Sequence, residues 1–280
     1  MFPVSTCGER AFPRTLSCVR KPQDPFRPSR RLLFAAGTAA AAASAAAAAS
    51  TAEATVGSPA AAMAAADGLT SLGNYGSGVL GAWDRQARAI SNEAQIRRTR
   101  ESDGVFMFGD SIGVQDGPPL ARQLSKLGIS IAVHNWAGRP VTPAVDALET
   151  WSQDYGLPHR ILMSVGSNDI FTPPAVAAQV DRTMQIVGEE RTVYWVNVQA
   201  ARTAHGPDVT VADQRNSAWI NLQLADAQRR YDNLRIVHWA EHLASSPNRL
   251  ARYLRDGLHP SVTLGQNARN GLIIDAIKAG

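Results

Sequence analysis

From residue 103 to the C terminus, short apolar runs alternate with stretches of helical period, and few architectures accommodate that pattern. The apolar runs are Val105–Phe108, Ile129–His134, Arg160–Val165, Thr192–Val198 and Leu234–Trp239. Between and after them, Pro118–Leu127, Thr142–Gln153, Pro174–Gly188, Val211–Arg230 and residues 262–278 have helical spacing. Runs this short and apolar need cover on both faces, which parallel strands obtain from crossover helices. The pattern predicts an α/β domain with a five-stranded parallel sheet between two helical layers, at an ordinary size for one domain. Functional groups are then expected beyond the C-terminal ends of the strands, where the crevice of such a sheet opens.

Upstream, three regions precede or join that domain. Residues 1–54 carry Ser29-Arg30-Arg31-Leu32-Leu33-Phe34, an Ala-dominated stretch and Ala52-Glu53-Ala54, which together read as an export signal of the twin-arginine type. Alanine is only weakly apolar, so the stretch suits export better than a stable membrane span. Residues 55–102 read as an Ala/Gly/Ser-rich linker followed by an amphipathic helix over 79–99. Residues 103–280 form the domain proper. Of the 28 Lys/Arg and 24 Asp/Glu, seven and three lie within residues 1–54, so residues 55–280 carry 21 of each. The basic excess is therefore confined to the leader, and the charge balance gives no argument for a nucleic-acid partner. Both cysteines, Cys7 and Cys18, precede the Ala-rich stretch. Cleavage after it leaves a chain without thiol chemistry or disulfides.

Four blocks carry the chemistry. The first run leads into Gly109-Asp110-Ser111-Ile112-Gly113, the second into Asn135-Trp136-Ala137-Gly138-Arg139, and the third into Gly166-Ser167-Asn168-Asp169. Asp256-Gly257-Leu258-His259-Pro260 lies near the C terminus. Each alone is consistent with an ordinary turn. Together they supply what acyl transfer requires. A serine hydroxyl becomes nucleophilic when a base takes its proton, and His259 is the candidate base. Asp256, three residues earlier, can fix the imidazole tautomer. The Ser111 and Gly138 amides and the Asn168 side chain can receive a developing oxyanion.

The order Gly-Asp-Ser, Gly, Gly-x-Asn-Asp and Asp-x-x-His resembles the SGNH hydrolases, also called GDSL esterases or lipases, over roughly residues 103–279. The resemblance implies a flavodoxin-like three-layer α/β/α sandwich, with Ser111, His259 and Asp256 as nucleophile, base and orienting acid. It implies Ser111, Gly138 and Asn168 as the oxyanion hole, and no cofactor or metal. Ile112 stands where the name-giving motif has leucine. Asn135–Arg139 and the Asn216–Asn221 stretch also resemble the secreted subset acting on O-acetylated peptidoglycan or carbohydrate. Trp136 has two readings, sheet-edge packing or stacking on a sugar or acyl group. Arg139 is either an anion ligand or a solvated residue.

Other motifs fail their context. Gly109–Gly113 also fits G-x-S-x-G, but that elbow belongs to a fold with strands upstream and with acid and base on separate loops. Gly76–Gly81 fits G-x-G-x-x-G with no strand before it, and reads as a flexible stretch. His238–His242 fits H-x-x-E-H, with His238 at the end of an apolar run rather than on a helix. The expectation is an exported serine esterase for small or medium acyl esters, with a small-molecule or glycan ester as partner. The alternatives are an O-acyltransferase to a cell-envelope sugar and a non-catalytic glycan-binding module.

Overall fold

The computed structural model describes residues 75–280. The export signal and most of the linker expected above lie outside the described residues. Six strands form one sheet: β1 (Arg88–Ile90), β2 (Val105–Gly109), β3 (Ile131–Trp136), β4 (Arg160–Ser164), β5 (Thr192–Val196) and β6 (Leu234–Val237). Their spatial order is β1-β3-β2-β4-β5-β6. Strands β2 to β6 are all parallel, as the apolar runs predict, and β1 adds an antiparallel edge on β3. The helices are α1 (Glu93–Glu101), α2 (Ser111–Ser125), α3 (Val141–Tyr155), α4 (Ala175–Val187), α5 (Pro207–Arg230), α6 (Trp239–Ala244), α7 (Pro247–Tyr253) and α8 (Leu264–Ala279).

Alternation along the strands feeds two cores. Phe106 and Phe108 of β2, with Ile161, Met163 and Trp195, face Val145, Leu148, Val180 and Leu224 from α3, α4 and α5. Val105 and Met107, with Leu162 and Val196, face Leu120, Leu124, Leu243, Ile273 and Ile277 from α2, α6 and α8. This is the three-layer sandwich. Burial of β2 at every position accounts for its uninterrupted apolar sequence.

Three elements differ from expectation. The helix expected over 79–99 is instead an irregular segment (75–87), then β1, then α1. Val79 is 76% and Ile90 46% exposed, so the helical spacing there marks no buried stripe. Helix α1 begins where Asn92 caps it, its side chain accepting the Gln95 amide at 2.9 Å. Strand β1 pairs with the β3 edge, and the Ala87 carbonyl accepts the Ala137 amide just beyond it. Helix α2 starts at Ser111 rather than Pro118. Asp110 caps it by accepting the Ile112 amide at 2.9 Å, and Pro118 and Pro119 lie inside it. Pro119 cannot donate to the Gln115 carbonyl, which is met instead by Gln266 Nε2 of α8 at 3.4 Å. Residues 239–253 form two short helices, and Trp239 opens α6 rather than closing β6. Among the described residues, no helix is long and apolar enough to cross a membrane.

Candidate active site

Register sets the crest of the sheet. Gly109 pairs with Asn135 on one side and Ser164 on the other, so β2, β3 and β4 end at one level and their loops meet. Ser111 is the first residue of α2, directly after the Asp110 cap. The Asp110 carboxylate also accepts the Ser167 hydroxyl, tying the elbow to the β4 loop. Beneath the elbow, the fully buried Asn135 donates to the Gly113 carbonyl at 2.8 Å. A Cβ at Gly109, Gly113 or Gly117 would approach its side chain to 2.5, 2.9 or 3.1 Å. Gly113 and Gly117, four residues apart on one face of α2, together with Gly109 at the end of β2, leave the space that receives Asn135.

The C-terminal block turns back toward Ser111. An isolated bridge pairs Leu254 with Pro260 and closes the loop. Asp256 Oδ1 accepts the amides of Leu258 (3.0 Å) and His259 (2.7 Å). Gly257 has φ +82°, and a Cβ there would lie 1.8 Å from the Ala201 carbonyl oxygen, so the turn requires glycine. His259 Nδ1 then lies 2.8 Å from Asp256 Oδ2, and Nε2 lies 2.9 Å from Ser111 Oγ. Burial raises the Asp256 pKa, but the His259 amide, the imidazole and its charge, and the Leu258 amide outweigh it. The carboxyl is held below its usual range. An ionised Asp256 keeps the Nδ1 proton and leaves Nε2 free to accept one from Ser111.

The remaining groups come from the β3 and β4 loops. Gly138 has φ +77°, and the Ser111 and Gly138 amides have no acceptor among the described residues. Asn168 Nδ2 donates to the Arg139 carbonyl at 3.2 Å, and its second N–H has no acceptor among the described residues. Next to it, the buried Asp169 carboxylate accepts the Val141 amide at 3.0 and 3.1 Å and so caps α3. Burial pushes its pKa up to about 7; the Val141 amide opposes the shift and the Asp110 charge adds to it. The two loops are thereby joined at adjacent residues. A pocket of about 320 Å³ opens over Ser111 and His259, walled by Trp83, Gly138, Asn168, Phe171 and Leu258.

The two substrate-binding candidates from sequence are placed otherwise. Arg139 is fully buried and neither solvated nor available to an anion. It donates to the Gly109 carbonyl at 2.9 Å, to His134 Nδ1 at 2.8 Å and to the His134 carbonyl. Burial lowers its pKa to about 10, with Asp110 partly offsetting this. Burial, then the Arg139 charge, lowers His134 to about 4, so its Nδ1 serves as an acceptor. Arg139 thus clamps the Gly138 loop to the elbow strand. Trp136 lies outside the pocket lining, with the Arg88 guanidinium 3.6 Å from its ring centroid. Its ring packs edge-on against Trp83 at 4.9 Å. The aromatic wall beside Gly138 is Trp83. The sequence motifs assign no role to Asn135, Asp169 or Trp83. For Asn135, the i, i+4, i+8 glycines were a usable signal. His242 of the H-x-x-E-H stretch stacks between Trp239 and Tyr253.

No family model matches the chain, and no curated protein matches it. Solved structures do. The GDSL-like lipase of Bacteroides thetaiotaomicron superposes with TM-score 0.51 at 17% identity, over 68% of this chain and 92% of that one. A member of the lipolytic G-D-S-L family from Veillonella parvula gives 0.51 at 14%, over 62% and 98%. The catalytic domain of peptidoglycan O-acetyltransferase A from Streptococcus pneumoniae gives 0.50 at 16%, over 64% and 94%. The chain has the SGNH/GDSL hydrolase fold. Within that fold the four sequence blocks converge at the C-terminal end of the sheet, and the antiparallel β1 is an addition to the five expected strands.

Proposed function

We propose that the protein is a serine esterase of SGNH type that acts on small or medium acyl esters through an acyl-enzyme on Ser111. The observation that carries this reading is the chain Ser111 Oγ–His259 Nε2 (2.9 Å) and His259 Nδ1–Asp256 Oδ2 (2.8 Å), set beside two amides that have no acceptor among the described residues. Ser111 Oγ attacks the ester carbonyl as its proton passes to His259 Nε2. The negative charge that develops on the carbonyl oxygen is received by the Ser111 and Gly138 amides and the second Asn168 N–H. His259 returns the proton to the departing alcohol as the tetrahedral intermediate collapses. Water, deprotonated by His259, then attacks the acyl-serine, and collapse restores Ser111 and releases the acid. Each step uses groups of this chain and requires no cofactor.

Transfer of the acyl group to a sugar hydroxyl is the second reading. It is favoured by the likeness to the peptidoglycan O-acetyltransferase A catalytic domain, and it replaces water with an acceptor alcohol at the same acyl-serine. The paired arginines and Ala-rich stretch of residues 30–54 support export, which places an O-acetylated envelope glycan within reach. The test is p-nitrophenol release from acetate, butyrate and octanoate esters by the protein and by Ser111→Ala, with and without a sugar acceptor. Release that disappears in the variant is expected, and an added acceptor that forms an acetylated sugar selects transfer. No release from any ester, with sugar binding unchanged in Ser111→Ala, selects a binding module.

A further inference from the structure

We propose that residues 75–87 are a strap whose Leu80 and Trp83 set the size and polarity of the ester admitted, restricting the site to compact, uncharged acyl groups. This rests on the esterase reading of Ser111. The segment includes the Gly76–Gly81 stretch that sequence alone treats as flexible. It has no regular secondary structure, yet side chains from the domain fix it at both ends. At the near end, Arg215 and Asn216 of α5 donate to the Tyr75 carbonyl (2.5 and 2.9 Å). Asn216, fully buried, also donates to Ser77 Oγ at 2.8 Å. Arg202, paired with the fully buried Asp213, donates to the Ser77 carbonyl at 2.6 Å. Gly76 (φ +78°) lies against α5, where a Cβ would come 3.1 Å from that of Ala212.

At the far end, Trp136 Nε1 donates to the Trp83 carbonyl at 3.0 Å, and the Trp136 ring, covered by Arg88, holds the Trp83 ring edge-on. Between these anchors the strap passes over the pocket, with Leu80, Gly81, Ala82, Trp83 and Gln86 in its lining. A Cβ at Gly138 would approach the Trp83 Cβ to 3.0 Å, so the same glycine that frees an amide lets the strap pass. The resulting space, about 320 Å³, is at the lower end of small-molecule sites and must hold both the acyl group and the first atoms of the alcohol. Among the described residues, its lining has no ionisable side chain apart from the His259 imidazole. A charged acyl group would therefore lose water there without a partner.

The test is the ratio of kcat/KM for p-nitrophenyl octanoate to that for acetate, and for hemisuccinate to butyrate, in the purified protein, Trp83→Ala and Leu80→Trp. Trp83→Ala removes the wall and is expected to raise the octanoate-to-acetate ratio by about tenfold, the scale of pocket discrimination by a few apolar atoms. Leu80→Trp fills the pocket from a half-buried strap position and is expected to lower the butyrate-to-acetate ratio by a similar factor. It decides the matter if Trp83→Ala fails to fold. Ratios within twofold of the parent in the folded variants, or efficient hemisuccinate turnover by the parent, overturn the strap proposal alone. A parent inactive toward every ester, and unlabelled by a serine-directed phosphonate, overturns the esterase reading and this proposal with it.

Discussion

The crest of the sheet and the strap across it meet at Gly138 but are built by different means. At the crest, Ser111, Gly138 and Asn168 follow directly on β2, β3 and β4, and short turns aim them. Asp110 caps α2, Asp256 gathers the Leu258 and His259 amides, and Asp169 caps α3. The strap has no ladder and no helix. Its backbone acceptors at Tyr75, Ser77 and Trp83 are met by side chains between 53 and 141 residues away. Strand ends and caps position the reacting atoms, with Ser167, Arg139 and Asp169 tying neighbouring loops together, whereas distant side chains position the wall. Chemistry and selectivity are therefore expected to respond to different substitutions.

The sharpest way to break this separation is at the crest. Ser111→Ala and His259→Ala are each expected to lower kcat by about a millionfold, with the double variant no worse than either single one. Steady-state hydrolysis of p-nitrophenyl acetate measures this, and additive losses would show that the two do not act as a unit. Asp256→Asn comes next, at about 10⁴-fold in kcat, because an amide in that position favours the wrong imidazole tautomer. Its remaining oxygen can still accept the Leu258 and His259 amides, so the thermal melt is expected to move little. Asn168→Ala removes one oxyanion donor and is expected to cost 10²- to 10³-fold, about 3–4 kcal/mol, in kcat with KM nearly constant. A large rise in KM instead would make Asn168 part of the wall rather than of the hole.

The smallest expected effect concerns the joint between the two loops. Asp169 has its pKa raised to about 7 by burial. Between its unfolded value and 7, the folded state therefore binds more protons than the unfolded one, and stability falls as pH rises through that window. Asp169→Asn keeps an acceptor for the Val141 amide without a charge. It is expected to flatten the fall in denaturant midpoint between pH 4 and pH 7. An unchanged slope in the variant would mean that Asp169 is ionised in the fold throughout.

The five parallel strands were legible because their apolar runs reflect burial on both faces, a property each segment carries by itself. Strand β1 was not, since Arg88-Ala89-Ile90 is half-exposed and becomes a strand only by covering the β3 edge. The serine, acid, base and hole candidates were legible because each lies within a few residues of a strand end or turn. Arg139 was misread because its burial depends on carbonyls and a ring nitrogen of Gly109 and His134, which no local pattern discloses. Of the two readings of Trp136, sheet-edge packing is the one observed, because proximity to Gly138 in sequence does not fix direction. Trp136 is covered by Arg88, and the neighbour it supports, Trp83, reaches the pocket from 53 residues upstream.

Whether Ser111 is the nucleophile is tested by mass spectrometry of the intact protein after treatment with a serine-directed fluorophosphonate, followed by mapping of the modified peptide. One adduct is expected, on Ser111, absent in Ser111→Ala and strongly slowed in His259→Ala. No adduct, or an adduct on another residue that persists in Ser111→Ala, would contradict it.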